Sequence, residues 1–344
     1  MKALLWFTGL MALAVLASVF VQPVPPVTDL PSGAGMDATA IFAGLPFIGA
    51  AGLIVNQGNL DNLFTGFKAA FNTGFRGVTP LWSQVATLVP SATSQEHYAW
   101  LGQFPKLREW IGDRDIKGMS AFDYTIKNKE WEATINVLKK AIEDDQFGIY
   151  GPLFLEMGDA AAKHPDELIF ALLQAGFATT CYDGQYMFDT DHPVGDGVVS
   201  NHGGGAGAQW YLLDVSRPLK PLIFQQRQGY QLLTMNRPED EGVFMRREYR
   251  YGVDARSNVG FGFWQQSFGS KVALDVAGYT AARAAMLACK SDEGRPLGIN
   301  PNLLVVPPSL EGAARKLLLN ERAADGSTNE WVNSAKMLMV PWLA

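Results

Sequence analysis

The sequence predicts an α+β fold, in which helices and strands share the chain without the regular strand–helix–strand alternation of a parallel sheet. Three observations carry this reading. Apolar residues recur at helical spacing in separate segments, as Phe147, Tyr150, Phe154, Met157 and Ala161 do. Other segments, such as Leu303, Leu304, Val305 and Val306 before Pro307, are short aliphatic runs typical of buried strands. The two kinds follow no repeating order, and no internal repeat is present.

From the amino terminus, Lys2 precedes an almost unbroken apolar run over residues 3–21, followed by Gln22, Pro23, Val24, Pro25 and Pro26. One positive charge before about 19 apolar residues reads as a secretory signal or a membrane anchor. A second apolar stretch, 41–54, is too short and too glycine-rich to span a bilayer. Leu60, Leu63, Phe64, Phe67 and Phe71 predict an amphipathic helix ending near Gly74, and an irregular stretch follows to Ser94. Tyr98, Trp100, Phe104 and Trp110 form an aromatic cluster punctuated by Gly102 and Pro105. Residues 122–127 and 131–138 read as two strands about the polar turn Asn128, Lys129, Glu130, together a long two-stranded arm.

Asp144 and Asp145 suit the start of a helix running from about 145 to 163. Pro165, Asp166 and Glu167 start a second helix that ends at Gly176. Residues 194–208, with Gly195, Gly197, Gly203, Gly204, Gly205 and Gly207, read as a long flexible loop. Strands fit 210–215, 222–225 and 248–254, helices 276–289 and 310–319, and buried strands 303–306 and 336–340.

Composition bounds the function. Of 344 residues 48% are hydrophobic and 11% aromatic, ample for a core, which excludes wholesale disorder. Charged residues are only 18%, while Gly (35) and Pro (19) are plentiful, as suits a surface covered by partners or long loops. A net charge of −6 argues against a dedicated nucleic-acid binder. The only cysteines, Cys181 and Cys289, exclude a disulfide framework and any four-cysteine zinc site.

The most enzyme-like stretch holds Cys181, Asp183, Asp189, Asp191 and His192, with His202 nearby. Clustered Asp and His can hold a divalent metal or move protons, so a secreted or membrane-anchored metal-dependent enzyme is one reading. Against it, no pair has the i, i+4 spacing of a helical His site, and Asp183 and Asp189 serve equally as turn residues bonding their own backbone. Cys181 as a nucleophile needs His192 or His202 as its base; the other reading is a buried, inert thiol. A further alternative is an anchored binding module with Cys181 and Cys289 paired outside the cytoplasm. The glycines at 203–207 lack the Gly-Lys-Ser/Thr ending of a phosphate loop. Arg246, Arg247 and Arg250 make a small basic patch, either salt-bridged surface or a subunit contact.

Several ordered blocks carry a family resemblance. WLGQFPKLREWIGDR (100–114), YTIKNKEWE (124–132) and IEDDQFGIY (142–150) resemble runs in the major head subunits of Mu-like phages and prophages. PDELIF (165–170), CYDGQ (181–185), DHP (191–193), WYLLD (210–214), PNLLVVPP (301–308) and MVPWL (339–343) continue the likeness in order. The resemblance covers roughly residues 54–344 and rests on many blocks rather than one motif.

The resemblance implies a capsid protein of the HK97-like fold, with peripheral domain, axial domain, extended two-stranded loop and amino-terminal arm. On it, 54–95 is the arm lying along an adjacent subunit, 96–143 the extended-loop region, 144–193 the peripheral domain with its spine helix, and 194–344 mainly the axial domain with returning peripheral strands. It implies hexamers and pentamers of an icosahedral shell around double-stranded DNA, assembled in the host cytoplasm. The implied partners are a scaffold, a maturation protease, a portal and a decoration protein. It implies no catalysis, no cofactor and no metal. Trp100, Phe104, Trp110, Tyr124 and Trp131 are the expected interface anchors, since aromatics dominate buried contacts. Residues 1–53 fall outside the resemblance; translation of the working subunit is expected to begin near Met36 or Leu53, or the segment to be removed.

Overall fold

A computed structural model describes residues 56–99, 101, 124–143, 147–322 and 326–344, with backbone alone for 143 and 147–149. These belong to one unit of the chain, residues 51–344. The apolar run at 3–21 lies outside the described residues. Among the described residues no helix is long and apolar enough to cross a membrane.

The elements run α1 (Gln57–Gly77), α2 (Trp82–Val85), β1 (Ala86–Pro90), β2 (Gln95–His97), β3 (Thr125–Lys127), β4 (Lys129–Leu138), α3 (Lys139–Glu143) and α4 (Phe147–Ala175). Then follow β5 (His192–Val194), β6 (Gly197–Val199), β7 (His202–Gly205), β8 (Trp210–Leu213), β9 (Leu222–Met235), α5 (Glu241–Arg246) and β10 (Glu248–Phe261). The chain closes with β11 (Ser267–Lys271), α6 (Val276–Leu287), β12 (Leu303–Val306), α7 (Glu311–Leu318) and β13 (Lys336–Met339). A four-stranded sheet has the order β1-β9-β10-β4, and a five-stranded sheet the order β13-β12-β8-β11-β7. One apolar core lies between the first sheet, α1 and α4; a larger one surrounds the second sheet. Mixed parallel and antiparallel pairing gives the expected α+β class.

Helix α1 starts at Asn56, whose side chain accepts the Asn59 N–H at 2.8 Å. Its stripe Leu60, Phe67, Ala70 and Phe71 is buried, as the spacing predicts. The helix runs past Gly74, which has another role. A β-carbon on Gly74 would lie 2.0 Å from the Leu155 carbonyl oxygen, and one on Gly158 only 2.1 Å from that of Phe71. Backbone touches backbone where α1 crosses α4, and only glycine permits it. The segment expected along an adjacent subunit therefore packs its helix on α4 of its own chain.

The break expected at 163–165 is absent: α4 is one helix with Pro152 and Pro165 inside it. Pro165 removes one N–H and crowds the Ala161 carbonyl. Burial of Ala161 and Ala162 before it, and of Ile169 and Phe170 after it, holds both halves in line. Asp166, expected as a first-turn acid, instead accepts the backbone N–H groups of Leu81 at 3.1 Å and Trp82 at 2.6 Å. It ties the start of α2 to α4. Asp166→Ala should cost about 2 kcal/mol by stranding those donors, read as a lower urea midpoint at unchanged slope.

The expected arm about Asn128 is also corrected. Both strands form, but a single residue between β3 and β4 cannot reverse the chain, since hairpin loops need at least two. β3 pairs antiparallel with β2, with His97 opposite Thr125, while β4 pairs with β10 from Lys129 opposite Ser257 to Leu138 opposite Glu248. Asn128 is the point where one extended chain changes partner. Its amide nitrogen donates to Ser91 Oγ and to the Thr93 carbonyl, each at 2.8 Å, and its Oδ1 accepts from Gln225. The two-stranded base is thus β2 with β3, bracketing the segment between Tyr98 and Tyr124.

The glycine-rich stretch is ordered rather than a flexible loop. β5 and β6 form a hairpin, and β7 runs parallel beside β11. At Gly205 φ is +89°, and a β-carbon would meet the Lys271 carbonyl carbon at 2.4 Å, so glycine there serves close strand approach. β9 and β10 extend well beyond 222–225 and 248–254, because pairing with each other carries the polar run after Gln225. Both cysteines are free and buried, which removes the paired-cysteine alternative.

Candidate assembly interface

Of the expected interface aromatics, Trp100, Phe104 and Trp110 lie outside the described residues. Tyr124 is committed to its own chain. Its hydroxyl accepts the Phe261 N–H at 2.8 Å, and burial, partly opposed by that bond, pushes the phenol up to about 12. Nearby, buried Gln225 accepts from the Tyr98 hydroxyl at 2.8 Å and donates to the Ile126 carbonyl at 3.0 Å. This polar node fastens the β2–β3 base to the four-stranded sheet.

Trp131 lies half-exposed on β4. Its indole N–H donates to the Ser257 carbonyl at 3.1 Å, and its ring meets His164 edge-on at 4.5 Å. His164 Nδ1 lies 2.6 Å from the Tyr230 hydroxyl, and burial lowers the imidazole pKa against the opposing pull of Glu167. These rings wall a groove of about 650 Å³ between β4 and α4, with Leu153 and Met157 on its apolar side. Glu132, Glu156, Glu167 and Asp254 line it as well. β4 is an edge strand, so the groove adjoins backbone that has no strand partner on one side among the described residues.

The Asp–His cluster does come together. Cys181, Asp183 and His192 place their polar atoms within 4.8 Å of one another, all at buried or half-buried positions. Asp183 is a turn residue, accepting the Gln185 N–H at 3.0 Å, and it also accepts from the Cys181 thiol at 3.0 Å. Its second oxygen faces His192 Nδ1 at 2.7 Å. Asn201 donates to the Met187 and Ser267 carbonyls and accepts the Asp189 N–H, which fixes its amide so that Oδ1 faces His192 Nε2 at 3.2 Å. Both ring nitrogens therefore face an oxygen of the brace. The ring stacks on Trp264 at 4.0 Å.

Burial works to raise the Asp183 carboxyl, but hydrogen bonds from His192 and Cys181 outweigh it and hold the group below the usual range. Burial and the adjacent carboxylate push the Cys181 thiol well up, so it is a poor nucleophile and a poor thiolate ligand. Asp189 bonds its own turn, accepting from Thr190 and Tyr186, and Asp191 is exposed. His202 stands apart, against Phe177. The cluster is a hydrogen-bonded brace joining the 181–185 turn, the β5 hairpin and Trp264. Each polar atom is committed to a partner within it.

One feature escaped the sequence reading. Beside Arg246 and Arg247, Phe244 and Met245 stand 79% and 70% exposed on α5. The apolar run Val243, Phe244, Met245 inside the otherwise polar stretch 236–248 was the available signal.

Residues 60–343 match the family described as Mu-like prophage major head subunit gpT. The chain is 46% identical over 277 residues to the Mu-like prophage FluMu major head subunit of Haemophilus influenzae, covering 77% of this chain and 90% of that protein. It is 39% identical over 305 residues to the major capsid protein of Escherichia phage Mu, covering 85% and 100%. Among solved structures, the procapsid of bacteriophage JBD30 matches with a TM-score of 0.73 at 48% identity, covering 84% of this chain and 100% of that one. The expected capsid fold is borne out, and nothing in these likenesses supports the metal-enzyme alternative. A match over nearly all of the chain after α1 begins, with the same fold, makes the chain a member of the family of Mu-like prophage major head subunits.

Proposed function

We propose that the chain, as a major head subunit, closes shells from hexamers and pentamers around double-stranded DNA and acts without catalytic turnover. The carrying observation is the family match over residues 60–343 together with the likeness to a solved procapsid. The likeness to the JBD30 procapsid supports a precursor shell, and the likeness to a JBD30 capsid decorated with minor capsid protein trimers supports a decoration partner; a scaffold, a maturation protease and a portal complete the proposed partners. Assembly takes place in the host cytoplasm. A net charge of −6 suits a wall that encloses DNA without gripping it.

In this reading the four-stranded sheet with α1 and α4 is the peripheral domain, α4 being its spine. The five-stranded sheet with α6 and α7 is the axial domain, and β9 and β10 are the returning peripheral strands. The segment bracketed by β2 and β3 is the extended loop. Trp131, at the wall of its groove, is the described aromatic best placed to meet a neighbouring subunit, joined by Trp100, Phe104 and Trp110 from the loop.

Negative-stain microscopy of the expressed chain, alone and with scaffold, tests this. Capsomers or closed shells are the expected result. Monodisperse monomer under every condition, with or without scaffold, would overturn it.

A further inference from the structure

At the base of the segment bracketed by β2 and β3, several hydrogen bonds converge on one carboxylate. Glu96, in β2, accepts from the Ser91 hydroxyl at 2.8 Å and the Thr93 hydroxyl at 3.0 Å. The same oxygen accepts the N–H groups of Ala92 at 3.1 Å and Thr93 at 3.3 Å. Two successive backbone N–H groups and two hydroxyls aimed at one oxygen make an anion nest. The bonds from Ser91 and Thr93 hold the Glu96 carboxyl below its usual range, so it sits in the nest as the anion.

The turn that Glu96 gathers is the one that holds Asn128. Ser91 gives its single hydroxyl proton to Glu96, which leaves its oxygen to accept from the Asn128 amide. The Thr93 carbonyl accepts from that amide too, and the Ser94 carbonyl accepts the Asn128 N–H at 2.9 Å. From Asn128 the bonds continue through Gln225 to the Tyr98 hydroxyl. The Tyr98 N–H then closes the base on the Tyr124 carbonyl at 2.8 Å. A relay of hydrogen bonds thus joins Glu96 to both points where the bracketed segment leaves and returns. Little of it serves the core: residues 92–95 are exposed and Glu96 is half-buried. Water would satisfy the same groups in an open turn, so these bonds add little to stability. What they remove is conformational freedom.

We propose that Glu96 is a positioning residue for assembly: by folding the 91–94 turn around its carboxylate it sets Asn128, and through Asn128 the direction in which the bracketed segment leaves the sheet. A neighbouring subunit then meets a segment that is already aimed, without the entropy loss of aiming it on contact. The proposal rests on the shell-forming reading above.

The test uses the full chain in the same assembly assay, run over a series of protein concentrations. Glu96→Ala should unfold within about 2 °C of the wild type, yet raise the concentration at which shells appear about tenfold. Hydrogen exchange should show the amides of Ala92, Thr93 and Asn128 losing protection while those of β12 keep theirs. Asn128→Ala should raise the threshold at least as far. Adding Glu96→Ala to it should raise the threshold no further, since both act through one relay. A wild-type threshold from Glu96→Ala overturns the proposal, as does a double variant in which the two effects multiply. A fall of more than about 10 °C in the unfolding temperature of Glu96→Ala also overturns it, making the turn a stability element. If the unaltered chain forms no shells, it is the shell-forming reading that fails.

Discussion

Gly158→Ala will detach α1 from α4 and lower stability by about 3 kcal/mol or more, the upper range of overpacking effects. The added methyl would sit 2.1 Å from the Phe71 carbonyl oxygen and 2.8 Å from the Phe75 nitrogen, where a normal carbon–oxygen contact is about 3.3 Å. Both obstacles are helix backbone, which cannot rotate away as a side chain can. Alanine gains about 1 kcal/mol of helix propensity over glycine, so in an isolated helix the change would stabilise. The clash decides the sign. The crossing also sets the aromatic packing beside it, where Phe67 stacks on Phe154 at 4.1 Å and meets Tyr251 edge-on. Parting the helices exposes these rings. Urea unfolding of Gly158→Ala should show a lowered midpoint, and limited proteolysis should cut within 57–77 before the remainder. Wild-type stability and protection would refute the contact.

The second large effect concerns the brace at His192. Asp183→Ala should cost about 3 kcal/mol, because it removes the buried carboxylate that faces His192 Nδ1 at 2.7 Å. It also strips partners from the Gln185 N–H and the Cys181 thiol. The pH dependence follows from the direction of the Asp183 shift. Its folded-state pKa lies below the usual value, so its contribution is complete above the unfolded value of about 3.9 and fades as pH falls through the lower folded value. Asp183→Asn should therefore flatten the acid limb of the stability curve below about pH 4. A chelator should leave both curves unchanged, since the cluster is held by hydrogen bonds. Unaltered stability of Asp183→Ala, or a midpoint that drops on chelation, would contradict this account.

Much of the fold was legible along the chain. Leu60, Phe67 and Phe71 announced α1 by their spacing, because burial of one helix face imposes a 3.6-residue period. Leu303 to Val306 announced β12, a strand buried on both faces and so apolar throughout. The misreadings share a cause. Pro165 reads locally as a helix boundary, and only Ile169 and Phe170 in the core, with Asp166 reaching Leu81 and Trp82, keep α4 whole. Glycines at 203–205 read as slack, whereas the Ser270 side chain crowds Gly203 and the Lys271 backbone crowds Gly205. Asn128 reads as a turn, yet its partners come from two distant segments, Ser91 and Thr93 from one and Gln225 from the other.

The candidate site divides in the same way. Asp183 and His192 stood out by residue type, and the turn-forming use of Asp183 and Asp189 was foreseen from their local chemistry. Trp264, which stacks on His192, and Asn201, which orients it, carried no signal because neither residue type implies such a role.

By itself the sequence determined where the longer helices and the apolar buried strands lie, which of their faces turn inward, and to which family of head subunits the chain belongs. Those properties are set by residues a few positions apart, or by ordered blocks that need no folding to be read. Only the tertiary structure decided that β4 pairs with β10 rather than β3, that α1 and α4 touch through glycine, and that an Asp–His cluster serves as a brace. Such pairings join residues as distant as Lys129 and Ser257, and local periodicity specifies a face to bury without naming the surface that buries it.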